Sequence, residues 1–195
     1  MFVNYGLGCD PAVNVTDRRG MGLPVFGPVS GGLARGGPYI LGWQSSKLEG
    51  QVTVEGLGYE QVTAAERAWK AASYPEMFPT RWMAMPEPLS QPRSGVYLLR
   101  TAVTCASALK AQLAMGSDGP FKVWLNGREV LSGPRATNPC LPDRYLARVE
   151  LVEGSNEILV GFDSRGGMSW GICARLRPLR PSRALPEGVV KLPSE

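Results

Sequence analysis

The chain of 195 residues contains no histidine, and this absence excludes several kinds of chemistry. Ser-His-Asp and Cys-His nucleophilic machinery and the HExxH helix of zinc peptidases all require an imidazole. The cysteines have no CxxC spacing, so a zinc centre of the usual kinds is excluded as well. We therefore expect no catalytic residue and no metal ligand of these types. Paired carboxylates, which are all that glycoside hydrolysis needs, stay open because no spacing singles out a pair.

Nucleotide-binding and membrane-spanning motifs are also absent. The sequence has no GxxxxGK[ST] loop and no GxGxxG between a strand and a helix. It has no apolar run of about 18 residues, and "MFVNYGLG" lacks the charged start and apolar middle of a secretion signal. We predict no nucleotide cofactor and no membrane span. The compartment stays open, being extracellular or periplasmic if the chain belongs to a longer exported protein.

The net charge of +4 comes from scattered arginines with acidic residues between them. No compact basic stripe accompanies exposed aromatic residues, so a nucleic-acid partner is not expected. The four cysteines leave the redox state open, because a disulfide such as Cys105 with Cys140 and buried free thiols fit the sequence equally well. The same holds for Cys9 and Cys173.

The distribution of glycine and proline divides the chain into three parts. There are 24 Gly and 17 Pro, yet 44% of the residues are hydrophobic, which argues against disorder. Residues 1–37 are predicted to be an arm or the tail of an upstream domain, 38–178 a β-sandwich, and 179–195 a Pro/Arg-rich tail. No internal repeat is found.

The stretch "GSDGPFKVWLNGREVL" contains the strongest local signal. Phe121, Val123 and Leu125 alternate with polar positions, which is the period of a strand with one buried face. Asn126 and Gly127 then supply the two positive-φ residues of a type I′ hairpin. The pattern predicts two antiparallel strands.

Seven strands are predicted from residue 96 onwards, in "VYLLRTAV", "ALKAQLAMG", "FKVWLN", "REVLS", "YLARVELV", "NEILVGFD" and "SWGICARLR". Short strands without intervening helices are typical of an antiparallel sandwich, and we predict a mainly β, jelly-roll architecture. Earlier in the chain, "YILGW" and "QVTVEG" are predicted as strands and "TAAERAWKAA", residues 63–72, as a short helix.

The order of these motifs resembles the galactose-binding-domain-like β-sandwiches of bacterial carbohydrate-active enzymes. The similarity extends from about Tyr39 to Leu176, and its most specific pieces are the Gly-Ser-Asp before the Trp-Leu-Asn-Gly hairpin and "LVEGSNEILV". It implies an accessory module that binds sugars or packs against a catalytic domain. Family members often carry a second acidic residue where this chain has Gly119 or Pro120. The resemblance therefore does not imply that Asp118 binds calcium or sugar, because part of the ligand set is missing. We expect no cofactor, with a structural calcium ion as the open alternative.

The N-terminal "FVNYGLGCDPAVNVTDRRGMGLPVFGP" resembles the closing segment of family nine glycoside hydrolases. This second similarity covers about 28 residues, and a helical barrel cannot fit in the length of this chain. It implies that the chain is the tail of an enzyme whose catalytic part is elsewhere.

Aromatic residues beside arginines are the candidate ligand-binding residues. "SYPEMFPTRW" places Tyr74, Arg81 and Trp82 in one irregular segment, where they suit ring stacking with a polar clamp; the alternative is that its aromatic residues dock the segment on the sandwich. Trp124 lies on the polar side of its strand. It is predicted either to form a sugar platform beside Arg100, Lys110 and Gln112 or to be covered by the proline-rich arm.

The loop "GPRATNPCLPDRY" adds Arg144 and Tyr145 as further candidates. The favoured hypothesis is a non-catalytic carbohydrate-binding or accessory module of a polysaccharide-degrading system, with a polysaccharide or oligosaccharide as partner. One alternative is a structural or assembly module that contacts a catalytic domain or identical subunits through its arm and tail. The other is a C-terminal fragment of a glycoside hydrolase.

Overall fold

A computed structural model describes residues 39–63, 67–74, 83–88 and 94–179, together with the backbone of 190–191. The predicted N-terminal arm lies outside these residues, as does most of the predicted C-terminal tail. Within the described residues, no helix is long and apolar enough to cross a membrane.

The described residues are mainly β, with one short helix, as the sequence predicts. The helix α1 is Tyr59–Thr63 and a single 3-10 turn follows at Arg165–Gly167. The strands are β1 (Gln44–Lys47), β2 (Lys70–Ala71), β3 (Val96–Cys105), β4 (Leu109–Ser117), β5 (Phe121–Leu125), β6 (Arg128–Gly133), β7 (Tyr145–Leu151), β8 (Gly154–Asp163), β9 (Ile172–Arg177) and β10 (Val190–Lys191). The seven strands predicted after residue 95 are therefore confirmed.

The strands form two antiparallel sheets. The larger sheet has the order β2-β1-β3-β8-β5-β6, with β10 paired to the far end of β3. The smaller sheet has the order β7-β4-β9. The long β3–β8 pairing, which runs from Val96 opposite Asp163 to Cys105 opposite Gly154, is the centre of the larger sheet.

The main core lies between the two sheets. Leu99, Phe121 and Val160 of the larger sheet and Leu113 and Met115 of the smaller sheet are each at most 1% exposed. Alternate residues of each strand point into this layer, in agreement with the two-residue period of apolar residues in the sequence. The prediction that Phe121, Val123 and Leu125 face the core is confirmed.

The opposite, outer face of the larger sheet is covered by residues 48–63, here called the cover segment. Its Leu48, Val54, Leu57 and Val62 pack on the outward side chains of β3, β5 and β8, which are Val96, Leu98, Trp124 and Leu159. Lys122 fastens the segment by donating hydrogen bonds to the carbonyls of Glu55 at 3.0 Å and Leu57 at 2.9 Å. The sandwich thus has a second apolar layer.

The hairpin between β5 and β6 has the predicted turn. Asn126 and Gly127 have φ angles of 49° and 84°, the left-handed conformation of a type I′ turn. The Asn126 side chain accepts a hydrogen bond from the Glu157 N–H at 2.9 Å and donates one to the Asn156 side chain at 2.9 Å. The turn therefore fixes the start of β8.

Three predictions for the early part of the chain are wrong. "YILGW" contributes only an isolated bridge at Tyr39, and the strand begins after it, at Gln44. "QVTVEG" is irregular, and its valines pack on the outer face of the larger sheet as part of the cover segment. The helix ends at Thr63 and does not begin there, while Lys70 and Ala71 pair as strand β2.

Candidate functional site

A groove of about 480 Å³ lies on the outer face of the larger sheet, beside the cover segment. Its walls combine one large aromatic ring, two arginines, one carboxylate and aliphatic side chains. The lining residues are Val62, Thr63, Arg67, Trp69, Arg100, Glu157 and Leu159.

The register of the larger sheet brings the charged residues together. Arg100 of β3 lies opposite Leu159 of β8, and Ala102 lies opposite Glu157. Because residues two positions apart on a strand share a face, Arg100 and Glu157 project from the same outer face as Leu159. The groove is formed where the cover segment stops covering that face.

Trp69 forms the aromatic wall. The Arg100 guanidinium lies over its ring, 4.0 Å from the centroid, and donates a hydrogen bond from Nε to Gln44 Oε1 at 2.9 Å. Trp69 is partly buried because it packs against the covered apolar cluster. This side chain and this arginine therefore hold each other in position, which lowers the entropy that a ligand would have to remove.

Glu157 is positioned by the cover segment and the hairpin. The Tyr59 hydroxyl donates a hydrogen bond to Glu157 Oε2 at 3.1 Å. Burial, and then the Glu157 carboxylate, raise the pKa of Tyr59 above its ordinary value. The hydroxyl therefore stays a hydrogen-bond donor well into alkaline solution.

Arg67 joins the groove to a second cavity of about 540 Å³ along the cover segment. It donates hydrogen bonds from Nε to the Val62 carbonyl at 3.2 Å and from Nη2 to the Gln61 carbonyl at 3.4 Å, at the end of α1. The second cavity is lined by Leu48, Glu49, Gln51, Val52, Thr53, Gly56, Leu57 and Gln61, together with Arg67.

The described lining of the first groove suits recognition of a polar ring. A tryptophan ring, arginine donors and a carboxylate acceptor are the groups that position a polar ring with an apolar face.

The sequence-predicted candidates that the structure describes do not form one site. Trp124 is 2% exposed under the cover segment, so the prediction of a wet sugar platform is wrong. Among the described residues, those that cover it belong to 48–63, and the predicted arm lies outside the described residues. Lys110 and Gln112 were expected to adjoin Trp124, but they belong to β4 in the other sheet.

The remaining candidates lie elsewhere. Tyr74 is partly buried against the main core, and its hydroxyl accepts a hydrogen bond from the Trp43 N–H at 3.3 Å. Tyr145 packs edge-on against Phe121, with centroids 4.8 Å apart, while Arg144 lies 5.6 Å over its ring. Arg81 and Trp82 lie outside the described residues, and their part in binding stays a prediction.

Trp69, Arg67 and Glu157 were not predicted as site residues. Trp69 and Arg67 lie within "TAAERAWKAA", which is predicted as a helix and not as part of a site. One signal was present: Glu157 and Arg100 occupy outward positions of strands whose inward positions are apolar. Which outward positions the cover segment leaves open depends on tertiary packing.

Asp118 has a structural role in this fold. Its carboxylate accepts hydrogen bonds from the Trp170 N–H at 2.8 and 2.9 Å and from the Gly171 N–H at 3.0 Å. Ser169 donates to the Asp118 carbonyl at 2.7 Å. Within the part of the chain that the structure describes, no group of three or more Cys, Asp or Glu residues is placed to hold a metal ion.

No protein-family model matches the chain. No curated protein sequence matches it either. Solved structures do resemble it. An anti-sigma factor domain-containing protein from Clostridium clariflavum is 6% identical, with a TM-score of 0.44 over 80% of this chain and 48% of the other. A family 35 carbohydrate binding module from an environmental isolate is 11% identical, with a TM-score of 0.39 over 63% and 82%.

A β-glucosidase from Kluyveromyces marxianus is 8% identical to the chain, with a TM-score of 0.49 over 90% of this chain and 25% of the enzyme. This chain thus spans about half the length of the Clostridium protein and a quarter of the glucosidase. With TM-scores below 0.5 and such low identities, these likenesses assign neither a family nor a function.

Proposed function

We propose that the protein is a non-catalytic carbohydrate-binding module that holds a segment of an oligosaccharide or polysaccharide in the groove beside the cover segment. The observation that carries the proposal is that Trp69, Arg100 and Glu157 meet in one groove of about 480 Å³. This volume is in the range of small-molecule sites in proteins.

The proposed binding mode follows from the chemistry of a pyranose ring. Its C–H face stacks on an aromatic ring, and its hydroxyls both donate and accept hydrogen bonds. In the groove, the part of the Trp69 ring that the Arg100 guanidinium leaves uncovered supplies the stacking surface, the arginines supply donors and Glu157 supplies the acceptor. The second cavity, which shares Arg67, would take a neighbouring sugar of the same chain through the amides of Gln51 and Gln61.

The wider context is part of the same proposal. The order of sequence motifs resembles galactose-binding-domain-like jelly-roll modules, and we infer that the chain serves as an accessory module of a polysaccharide-degrading system. A catalytic domain or an identical subunit would then be its protein partner. Carbohydrate binding modules are among the solved structures that resemble the chain, but their sequence identities and TM-scores are too low to support the proposal.

Affinity electrophoresis through gels that contain different soluble polysaccharides tests the proposal. The parent should be retarded by at least one polysaccharide, and Trp69→Ala should restore most of the mobility. Trp69→Phe, which keeps an aromatic ring, should retain part of the retardation.

The matched control is an arginine on the other sheet. Arg148 is exposed on β7, so Arg148→Ala should be retarded like the parent, whereas Arg100→Ala should run faster through the same gel. Equal retardation of parent, Trp69→Ala and Arg100→Ala would place binding elsewhere. Unchanged mobility of the parent in every gel, together with self-association in light scattering, would favour the assembly module.

A further inference from the structure

Four sulfur-containing side chains form a buried cluster on the outer side of the smaller sheet. Met83, Met85, Cys140 and Cys173 are each at most 3% exposed, and Tyr39 and Trp170 pack around them. Cys173 lies on β9 opposite Gly116 of β4. Cys140 belongs to the loop between β6 and β7. The cluster is on a different sheet from the groove and takes no part in the proposed function.

The two thiols in this cluster are neighbours. A Cβ atom placed on Gly116 would lie 2.8 Å from Cys173 Sγ and 2.5 Å from the carbonyl oxygen of Leu141, the residue after Cys140. The β6–β7 loop therefore passes directly over Gly116 of β4 and beside Cys173, and Cys140 lies in the same buried cluster as Cys173. Burial, with a smaller effect of Cys173, raises the pKa of Cys140 well above its ordinary value.

We propose that Cys140 and Cys173 form a disulfide when the chain folds in the presence of a small-molecule disulfide. In the first step, the thiolate of one cysteine attacks the oxidant, forming a mixed disulfide and releasing one thiol. The other cysteine then attacks the mixed disulfide, the Sγ–Sγ bond forms, and a second thiol leaves. The two cysteines lose two electrons and two protons, which the released thiols carry.

Burial determines when this reaction takes place. Both thiols are at most 1% exposed in the folded chain, and only the thiolate is nucleophilic. The reaction therefore belongs to folding, or to local opening of the β6–β7 loop, and is slow in the folded protein. Once formed, the bond fixes that loop, whose Asp143 accepts hydrogen bonds from Arg175 and Arg177 of β9.

The third described cysteine is the internal comparison. Cys105 is 1% exposed at the end of β3, where Gly154 and Val190 lie opposite it, and it belongs to the main core and not to the sulfur cluster. Pairing of Cys105 with Cys140, which the sequence left open, would join residues that belong to two separate buried clusters.

The full chain is unfolded, reduced and refolded in a mixture of oxidised and reduced glutathione, and remaining thiols are then alkylated. Trypsin separates the cysteines, because Cys105, Cys140 and Cys173 lie in the peptides 101–110, 136–144 and 166–175. We expect the last two peptides to be linked, with a mass about 2 Da below the summed masses of the two reduced, unalkylated peptides. Cys105 should be alkylated.

Variants and kinetics complete the test. Cys105→Ser should still give the linked peptides, and Cys173→Ser should leave Cys140 alkylated. Glutathione disulfide added to the folded, reduced protein should produce the link at least tenfold more slowly than during refolding. Recovery of folded parent with both Cys140 and Cys173 alkylated, or with either one linked to Cys9 or Cys105, would overturn the proposal.

Discussion

Replacing Trp124 by alanine tests whether the cover segment is part of the folded core. The tryptophan is 2% exposed and packs with Leu57, Leu98 and Leu159. Its ring passes beside Gly161, where an added Cβ would lie 3.5 Å from it. Burying about 200 Å² of tryptophan surface at ~25 cal/mol per Å² contributes about 5 kcal/mol.

Part of that contribution survives in Trp124→Ala through the remaining methyl group and partial collapse of the cavity. We therefore expect the free energy of unfolding to fall by about 3–5 kcal/mol, the usual range for a buried aromatic residue. A tryptophan that served as an exposed sugar platform would change stability by only about 0.5 kcal/mol on replacement. The two interpretations are thus separated by several kcal/mol.

Urea denaturation followed by far-UV circular dichroism measures this difference. Trp69→Ala is the matched control, since Trp69 lies on the same face but is only partly buried, and its loss should cost about 1–2 kcal/mol. A loss below about 1 kcal/mol for Trp124→Ala, with an unchanged dependence on urea, would refute the packing described for the cover segment.

Two further predictions concern the turn and the tyrosine beside the groove. Gly127→Val should lower the free energy of unfolding by about 1–2 kcal/mol because its φ is positive, and by a further amount because an added Cβ would lie 3.2 Å from Tyr59. Gly154→Val, with a φ of 88° and open space around it, should show only the first effect in the same urea assay. Equal losses for the two variants would contradict this prediction. Burial and Glu157 raise the pKa of Tyr59 above 10.0 in the folded protein. The contribution of the Tyr59 hydroxyl to stability is therefore fully present below about pH 10 and is lost as the pH rises through the folded pKa. Tyr59→Phe should lose less stability than the parent between about pH 8 and pH 11, and parallel losses would show that Tyr59 does not contribute.

The strand pattern after residue 95 could be predicted because each strand carries its own signal. Alternating apolar residues fix which face of β5 is buried, and Asn126-Gly127 fixes the hairpin register. These signals are local and require no knowledge of other strands.

The cover segment could not be predicted for the opposite reason. Residues 51–56 have β-forming composition, but their valines are buried by packing on the back of the larger sheet. Trp124 occupies a polar position in the strand pattern and is nevertheless buried, since a second layer lies over it. Tertiary packing overrides local propensity at such positions.

The groove shows the same limit. Trp69 precedes a strand of two residues, and Arg100 and Glu157 are far apart in sequence, so only the pairing of β3 with β8 brings them to one face. The preferred sequence candidates, Arg81 and Trp82, lie outside the described residues and are still to be tested.

The indole N–H resonances of the five tryptophans provide the most direct test of the proposed groove. They are assigned in ¹⁵N-labelled protein by single Trp→Phe variants, and a polysaccharide-derived oligosaccharide that retards the parent in gels is then titrated in. If the groove binds the sugar, the Trp69 resonance should shift with saturation while the Trp124 resonance stays unchanged. A saturating shift at Trp82 with Trp69 unmoved would rule out the groove and assign binding to the irregular loop.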